Sequence, residues 1–218
     1  TKMASVHVSN FHSAYLFYPI LDPHGVVNSG IATFSKYKID KVIRKSLEIT
    51  DAFPSKFFDL DRCFSASYLK TNHDNYLVIV NVHLSAYDKG GVYRKKQLQQ
   101  LNSFLEVEYQ KGNYVVCGGD FNHDIANSMY VFETKQEKPE WVYALNNDDL
   151  NENFSFATNN NIPTCRSTDM PYEKNVNYTV VLDGFIVSKN VDVIMVENVD
   201  TNFEYSDHNP VYMKFFLK

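Results

Sequence analysis

Residues Cys117–Asp124 read CGGDFNHD, and together with Tyr205–Pro210, YSDHNP, they are the most informative part of the chain. Each segment follows a strand-like apolar run, so each can bring acidic and hydrogen-bonding side chains to the rim of a sheet. On an extended segment, Asp120 and Asn122 would point the same way and offer hard oxygen ligands to a divalent cation. With His208 nearby and no nucleophilic serine or cysteine motif, this pattern indicates metal-assisted hydrolysis.

The composition is that of one globular domain spanning residues 1–218. Of the 218 residues, 44% are hydrophobic and 15% aromatic, which is enough for a substantial core. There is no low-complexity block, linker or internal repeat. The net charge of −5 weighs slightly against a broad phosphate-binding surface. It does not exclude nucleic acid, because a metal site can reverse the local field.

The three cysteines, Cys63, Cys117 and Cys165, are widely spaced and odd in number. This excludes a fully paired disulfide framework and a CxxC metal motif, and we expect buried thiols. No apolar run approaches the ~18 residues of a membrane span, so the sequence predicts a soluble domain. No signal peptide opens the chain, but it begins at Thr1 rather than Met. A cytoplasmic location, and export after removal of an upstream signal, therefore both stay open, as does the oligomeric state.

Hydrophobic patterning predicts many strands and few helices. Leu98, Leu101 and Leu105 recur at helical spacing within residues 93–109, and Gly112 stands just beyond, which predicts an amphipathic helix with a C-terminal stop. The β-rich runs are 30–34, 63–69, 76–84, 114–116, 179–188, 191–196 and 210–217. Many strands with a few covering helices indicate an α+β fold.

Four short motifs, taken in order across residues 30–218, resemble successive signatures of the endonuclease/exonuclease/phosphatase superfamily. Deoxyribonuclease I, neutral sphingomyelinases and exonuclease III-type nucleases belong to it. The motifs are Val80–Leu84 (VNVHL), Gly119–Asn122 (GDFN), Leu182–Phe185 (LDGF) and Ser206–Pro210 (SDHNP). One such string alone would be weak, but four in sequence are specific. The resemblance implies a four-layered αββα sandwich and phosphoester hydrolysis with Mg²⁺ or Mn²⁺.

The resemblance also assigns catalytic roles. His208 matches the catalytic histidine that activates water or stabilises the transition state, and Asp183 would orient it, since a carboxylate fixes the imidazole tautomer and favours its protonated form. Asp120 would handle the nucleophile or the metal. Asn122 would donate its amide to a phosphoryl oxygen. His83 would protonate the leaving oxygen. Taken alone, Asp183 could cap a turn and His208 could be an ordinary surface histidine.

Further residues take supporting roles by the same resemblance. The metal ligands would be Asp120, Asn122 and Asp207. Asn81 stands two residues before His83 and should share its face of the strand, so we assign it to the substrate side as a support. Arg166, in the run PTCR, matches a loop that approaches the substrate in the family. The polar segment 167–177 after it could gate the site or be a solvated connection. Arg94 would be a structural salt-bridge former.

The start of the chain departs from the family pattern. Members carry an Asn on the first strand and a metal-binding Glu some thirty residues later, both upstream of the strand that matches 30–34. Here the first acidic residue is Asp22, the first Glu is Glu48, and no Gln-Glu pair precedes that strand. We expect a fragment that lacks the first strands, rather than a chain that has lost its main ligand. Such a chain should bind Mg²⁺ weakly and hydrolyse little at millimolar Mg²⁺.

The substrate class is left open by the sequence. The inositol-phosphatase signature Pro-Ala-Trp-Cys-Asp-Arg is absent, and His83 stands where exonuclease III-type members have a tyrosine. Residues 94–96 are the one basic cluster, which does not supply a stripe that follows a nucleic-acid backbone. The sequence therefore predicts a metal-dependent phosphodiesterase acting on nucleic acid, or on a phospholipid or small phosphoester. The alternative is an inactive binding or scaffold module on the same fold.

Overall fold

A computed structural model describes residues 3–12, 15, 17–26, 28–49, 62–72, 74–86 and 92–218. One α-helix, α1 (Val92–Gln110), lies within these ranges, together with twelve strands. The strands are β1 (Ala4–His12), β2 (Asn28–Ser35), β3 (Lys41–Ser46), β4 (Cys63–Lys70), β5 (Tyr76–His83), β6 (Tyr114–Asp120), β7 (Phe154–Ala157), β8 (Cys165–Arg166), β9 (Thr179–Val180), β10 (Asp183–Ser188), β11 (Val191–Asn198) and β12 (Val211–Leu217).

The centre of the fold is a six-stranded sheet with strand order β3-β4-β5-β6-β10-β7. Strands β5 and β6 are parallel and joined through α1, and the other neighbours in this sheet are antiparallel. A crossover helix is what a parallel pair requires. The pairs β1–β2, β11–β12 and β8–β9 form separate two-stranded sheets.

The two faces of the central sheet bury different layers. Val78, Val80 and Val82 of β5 point into the core that contains Leu101 and Leu105 of α1. Leu77 and Ile79 of β5 point the other way, into a second core shared with β11 and β12. This alternation follows from the period of two along a strand. The described residues thus contain a helix layer, a sheet layer and a layer of strand pairs, which confirms the predicted α+β class.

One predicted strand is divided into two in the structure, and four observed strands were not predicted. Residues 179–188 were expected to form one strand, but they divide into β9 and β10. The amides of Val181 and Leu182 between them bond to the hydroxyl oxygens of Ser128 and Thr164 instead of to a neighbouring strand. Strands β1, β3, β7 and β8 were not predicted, whereas α1 covers the predicted helix.

The three cysteines are buried thiols, as expected. Among the described residues, no helix has the length and apolar character to cross a membrane.

Candidate active site

Three adjacent strands of the central sheet end in a row of ionisable side chains. His83 ends β5, Asp120 ends β6 and Asp183 begins β10. In the register of the sheet, Asp120 lies directly between His83 and Asp183. Because the three strands are neighbours within the sheet, their side chains lie together at one end of these strands.

The glycines before Asp120 lie in the strand, not in a turn. A Cβ atom on Gly119, whose φ is +153°, would overlap the carbonyl oxygen of Val82. A Cβ on Gly118 would come within 2.9 Å of the Phe185 ring. Only glycine allows this close approach of backbone to backbone. These residues hold β6 tightly between its neighbours, which keeps His83 and Asp120 in register.

The fourth ionisable side chain, His208, comes from the connection between β11 and β12. Its backbone bridges to Cys165 of β8. The next residue, Asn209, is buried, and its Nδ2 donates to the carbonyl of Pro163 at 3.0 Å. These contacts fix the connection over the edge of the central sheet. The Nδ1 atom of His208 lies 2.7 Å from Oδ2 of Asp183, and its Nε2 lies 3.9 Å from Oδ2 of Asp120.

The pair of His208 and Asp183 is electrostatically strong. Burial by itself lowers the pKa of His208, but the hydrogen bond and charge of Asp183, aided by the contact with Cys165, raise this pKa well above its usual value of 6.5. His208 is therefore a cation at neutral pH. Its Nδ1 donates to Asp183, so Nε2–H is directed away from that bond and can donate to a ligand.

Burial explains the directions in which the pKa values of Asp120 and His83 change. Burial, and then the charge of Asp183, raise the pKa of Asp120, although both histidines oppose this effect. Burial also lowers the pKa of His83, with Asp120 acting in the opposite direction and Arg62 reinforcing it. The Nε2 atom of His83 lies 3.4 Å from Oδ2 of Asp120. The site thus holds a basic carboxylate between a neutral and a charged imidazole.

Asn122 contacts Asp120, but not by the extended geometry that the sequence suggested. Strand β6 ends at Asp120, and Asn122 has a left-handed φ of +50°. Its backbone amide donates to Oδ1 of Asp120 at 2.8 Å, and its Nδ2 donates to the Leu84 carbonyl at 2.9 Å and to Oδ2 of Asp120 at 3.2 Å. Asn122 therefore holds the Asp120 carboxylate in place. A contact between Asn122 and a phosphoryl oxygen stays a prediction.

These side chains open into a cleft of about 890 Å³ that also includes Asp207 and Arg166. Nη1 of Arg166 donates to the Ser167 carbonyl at 2.9 Å. Asn81 is not among the residues that line the cleft: its Nδ2 donates to the Ala32 carbonyl of β2 at 3.0 Å. It anchors β2 to the central sheet, and its assignment to the substrate side stays a prediction.

Arg62 also lines the cleft and was missed by the sequence reasoning. It is buried, immediately precedes β4, and lowers the pKa of His83 through its charge. An arginine one residue before the strand that pairs with the His83 strand was the available signal. Its cationic side chain makes the cleft suitable for an anion.

Two other polar groups near the DFN motif are structural. Arg94 is fully buried, and its Nη1 donates to the carbonyls of Asn122 and Trp141 at 3.1 and 3.0 Å. The carboxylate of Asp124 is buried and accepts bonds from the backbone amides of Ala126, Ser128 and Met129. Arg94 is structural through these carbonyl contacts, and its predicted salt bridge stays a prediction. Asp124 closes a turn.

Oxygen donors in the cleft suit a hard divalent cation. Ligand atoms of Asp120, Asp183 and His208 lie within 4.8 Å of one another. The protonated His208 bonded to Asp183 is a poor ligand for a cation. The assignment of Asp120, Asn122 and Asp207 as ligands of Mg²⁺ or Mn²⁺ stays a prediction. Asp22 and Glu48 do not line the cleft, and Glu48 pairs with Lys96.

No protein-family model matches the chain. An inositol phosphosphingolipids phospholipase C from Schizosaccharomyces pombe is 24% identical over 232 residues, covering 92% of this chain and 54% of that protein. The chain spans about half the length of the curated relative it matches.

Solved structures give a consistent result for the fold. The catalytic domain of human Nocturnin with a bound sulfate anion has a TM-score of 0.62 and 16% identity, covering 99% of this chain and 73% of that chain. An endonuclease/exonuclease/phosphatase from Beutenbergia cavernae has a TM-score of 0.62 and 15% identity, covering 98% of this chain and 53% of that chain. This chain has the endonuclease/exonuclease/phosphatase fold, as its four motifs predicted.

Proposed function

We propose that this domain is a metal-dependent phosphodiesterase, and that its substrate carries a single phosphodiester of the phospholipid type. The observation that supports this most directly is the His208–Asp183 pair, with its 2.7 Å bond, directed at the same cleft as Asp120 and His83. A cationic imidazole, a basic carboxylate and an arginine around one cleft form a site for an anion that must be attacked by water.

Each side chain has a chemical task in this proposal. Nε2–H of His208 donates to a phosphoryl oxygen and stabilises the charge that grows there. Asp120 orients the attacking water and accepts its proton. His83 is neutral in the free domain. A bound phosphodiester anion raises the pKa of this imidazole, so that it can protonate the leaving oxygen.

A divalent cation held by Asp120, Asn122 and Asp207 would supply Lewis-acid polarisation of the phosphoryl group. Arg166, which lines the cleft, would bind the phosphate or its neighbouring group as a fixed cation.

The charge of the cleft lining and the similarity to the curated relative favour a single-phosphate substrate over a nucleic-acid strand. The cleft lining includes the acidic residues Glu137 and Asp169 beyond the catalytic centre, and these would repel further phosphates. The curated relative is named for its action on inositol phosphosphingolipids. Nuclease activity is the second candidate, because the fold is shared with an endonuclease/exonuclease/phosphatase protein.

The test is hydrolysis of bis(4-nitrophenyl) phosphate at saturating Mg²⁺ or Mn²⁺, with Asp120→Asn as the variant. We expect turnover to fall at least about a hundredfold, because removal of a positioned base costs that much. Asp148→Asn, at an exposed carboxylate outside the cleft, is the matched control and should leave turnover unchanged. Equal hydrolysis by Asp120→Asn would overturn the proposal. Metal-independent ligand binding without any hydrolysis would support the scaffold alternative.

A further inference from the structure

The connection between β1 and β2 carries a dense set of exposed apolar side chains. We call its described residues, 15 and 17–26, the β1–β2 tip. The exposed fraction is 76% for both Phe17 and Tyr18, 86% for Ile20 and 100% for Leu21. Tyr15 is half exposed, and its ring lies 4.7 Å from that of Phe17. Contiguous exposed apolar surface of this kind marks an interaction site.

The most exposed pair stands at the corner of a turn. The amide of Asp22 donates to the carbonyl of Pro19 at 3.1 Å, which makes Ile20 and Leu21 the two central residues of a four-residue turn. Such positions face solvent and usually hold Gly, Asn, Asp or Ser. Two large aliphatic residues there are unfavourable in water and are explained by an apolar environment outside the chain.

The tip projects from the edge of the fold that carries the cleft. The carbonyl of Ser9 in β1 accepts from Nε of Arg44 at 2.9 Å and from Sγ of Cys63 at 3.8 Å. Cys63 directly follows Arg62, which lines the cleft. Beyond Ser9, strand β1 continues to His12, so the tip extends past the end of the central sheet at which His83 and Asp120 lie.

We propose that the β1–β2 tip docks on the surface of a lipid bilayer, with Ile20 and Leu21 entering the boundary between headgroups and acyl chains. This rests on the proposed function, since a lipid phosphodiester reaches the cleft only if the domain sits on the bilayer. Tyrosine beside aliphatic residues is the composition of interfacial anchors. The described tip contains no Lys or Arg, and its charged residue is Asp22. It therefore suits an uncharged or zwitterionic surface and does not suit nucleic acid.

The test is cosedimentation of the chain with phosphatidylcholine/sphingomyelin vesicles, in the absence of metal so that no turnover is needed. The wild type should bind, and Ile20→Ser/Leu21→Ser should weaken binding at least about tenfold, because two aliphatic side chains no longer leave water. Raising NaCl from 0.1 to 0.5 M should leave binding unchanged, since apolar burial is not screened. Hydrolysis of soluble bis(4-nitrophenyl) phosphate should be equal in wild type and variant.

Val193→Ser/Ile194→Ser is the matched control, because these exposed residues lie on β11, away from the catalytic connection. This variant should bind vesicles like the wild type. Absence of vesicle binding by the wild type, or equal binding by the tip variant, would overturn the docking proposal. So would a wild type that self-associates without binding vesicles while the tip variant is monomeric, since the tip would then be a protein contact. The proposed function is tested separately: it fails if the wild type and Asp120→Asn hydrolyse the soluble substrate equally.

Discussion

At the residue scale, the cleft contains two aspartates, and their different partners give them different chemistry. Asp183 is bonded to His208 at 2.7 Å and serves to keep that imidazole charged. Asp120 is buried beside Asp183, and burial, followed by the charge of Asp183, raises its pKa. Neighbouring carboxylates with separated roles are a recurrent basis of acid–base chemistry.

Asp183→Asn should change the pH dependence of catalysis. In the wild type the raised pKa keeps His208 protonated through the neutral range. Without the carboxylate this pKa falls toward 6.5 or below, so kcat/KM of the variant should decline as pH rises from about 6 to 8 while that of the wild type does not decline for this reason. NMR titration of the His208 ring protons measures the fall in pKa. Kinetics at a fixed, saturating metal concentration measure the pH profile of kcat/KM. Superimposable pH profiles would contradict the assigned pair.

The same pair predicts a stability effect with a defined sign. A histidine whose pKa is raised on folding contributes stability that is fully present below the unfolded pKa, about 6.5, and is lost as pH rises through the folded pKa. The difference in free energy of unfolding between the wild type and Asp183→Asn should therefore shrink between about pH 6.5 and 9. Urea denaturation across that range is the measurement, and a constant difference would count against the pair.

Metal affinity also belongs to this scale. Asp120, Asn122 and Asp207 supply only two carboxylates, so we expect Mg²⁺ to bind with a Kd of about 1 mM or weaker. Calorimetry, or Mn²⁺ paramagnetic resonance, measures this value, and Asp207→Asn should weaken it further. Micromolar binding that persists in Asp207→Asn would place the ligands elsewhere in the protein.

At the element scale, the pairing of β5 with β6 decides whether the site exists. Gly119 and Gly184 are register partners on β6 and β10. A Cβ on Gly119 meets the backbone of Val82, whereas a Cβ on Gly184 meets the ends of the Ile125 and Thr158 side chains. Backbone cannot move aside as a side chain can, so the two glycines differ in what they tolerate.

Gly119→Ala should therefore destabilise the domain more than Gly184→Ala. We expect at least about 2 kcal/mol for Gly119→Ala, or a fall in Tm of roughly 5 °C, and about half of that or less for Gly184→Ala. Thermal unfolding followed by circular dichroism gives the comparison. Equal Tm values for the two variants would mean that β5 and β6 are not packed as closely as described.

The elements show why some parts of the fold were predictable. Residues 76–84 form a run rich in β-branched and apolar residues, and this composition is visible in the sequence. Strand β1 alternates, in ASVHVSNFH, but its polar content concealed it. The left-handed turn at Asn122 and the side-chain bonds that divide β9 from β10 depend on distant partners. Arg62 likewise became a cleft residue only through strand pairing.

At the scale of the whole molecule, acidic balance and the distribution of charge set the kind of substrate that can approach. The net charge is −5, and Arg62 and Arg166 are the arginines that line the cleft. A nucleic-acid backbone would need several cations along its path, because each neutralised phosphate contributes to affinity through counterion release. Besides the protonated His208, the described cleft lining offers only these two arginines.

Substrate affinity should therefore depend weakly on salt. The slope of log affinity against log salt concentration should be about −1 or shallower, as for a single phosphate contact. The measurement is KM for a soluble phosphodiester between 50 and 300 mM NaCl, with binding to plasmid DNA measured in parallel. A slope several times steeper on DNA, together with DNA cleavage, would favour the nuclease candidate.

His208→Ala tests the central claim most directly, because His208 joins the connection after β11 to Asp183 and to the cleft. At saturating divalent metal, turnover of bis(4-nitrophenyl) phosphate should fall at least about a hundredfold, while the circular dichroism spectrum is unchanged. His24→Ala, at an exposed histidine outside the cleft, should retain wild-type turnover. Near wild-type hydrolysis by His208→Ala would contradict the account.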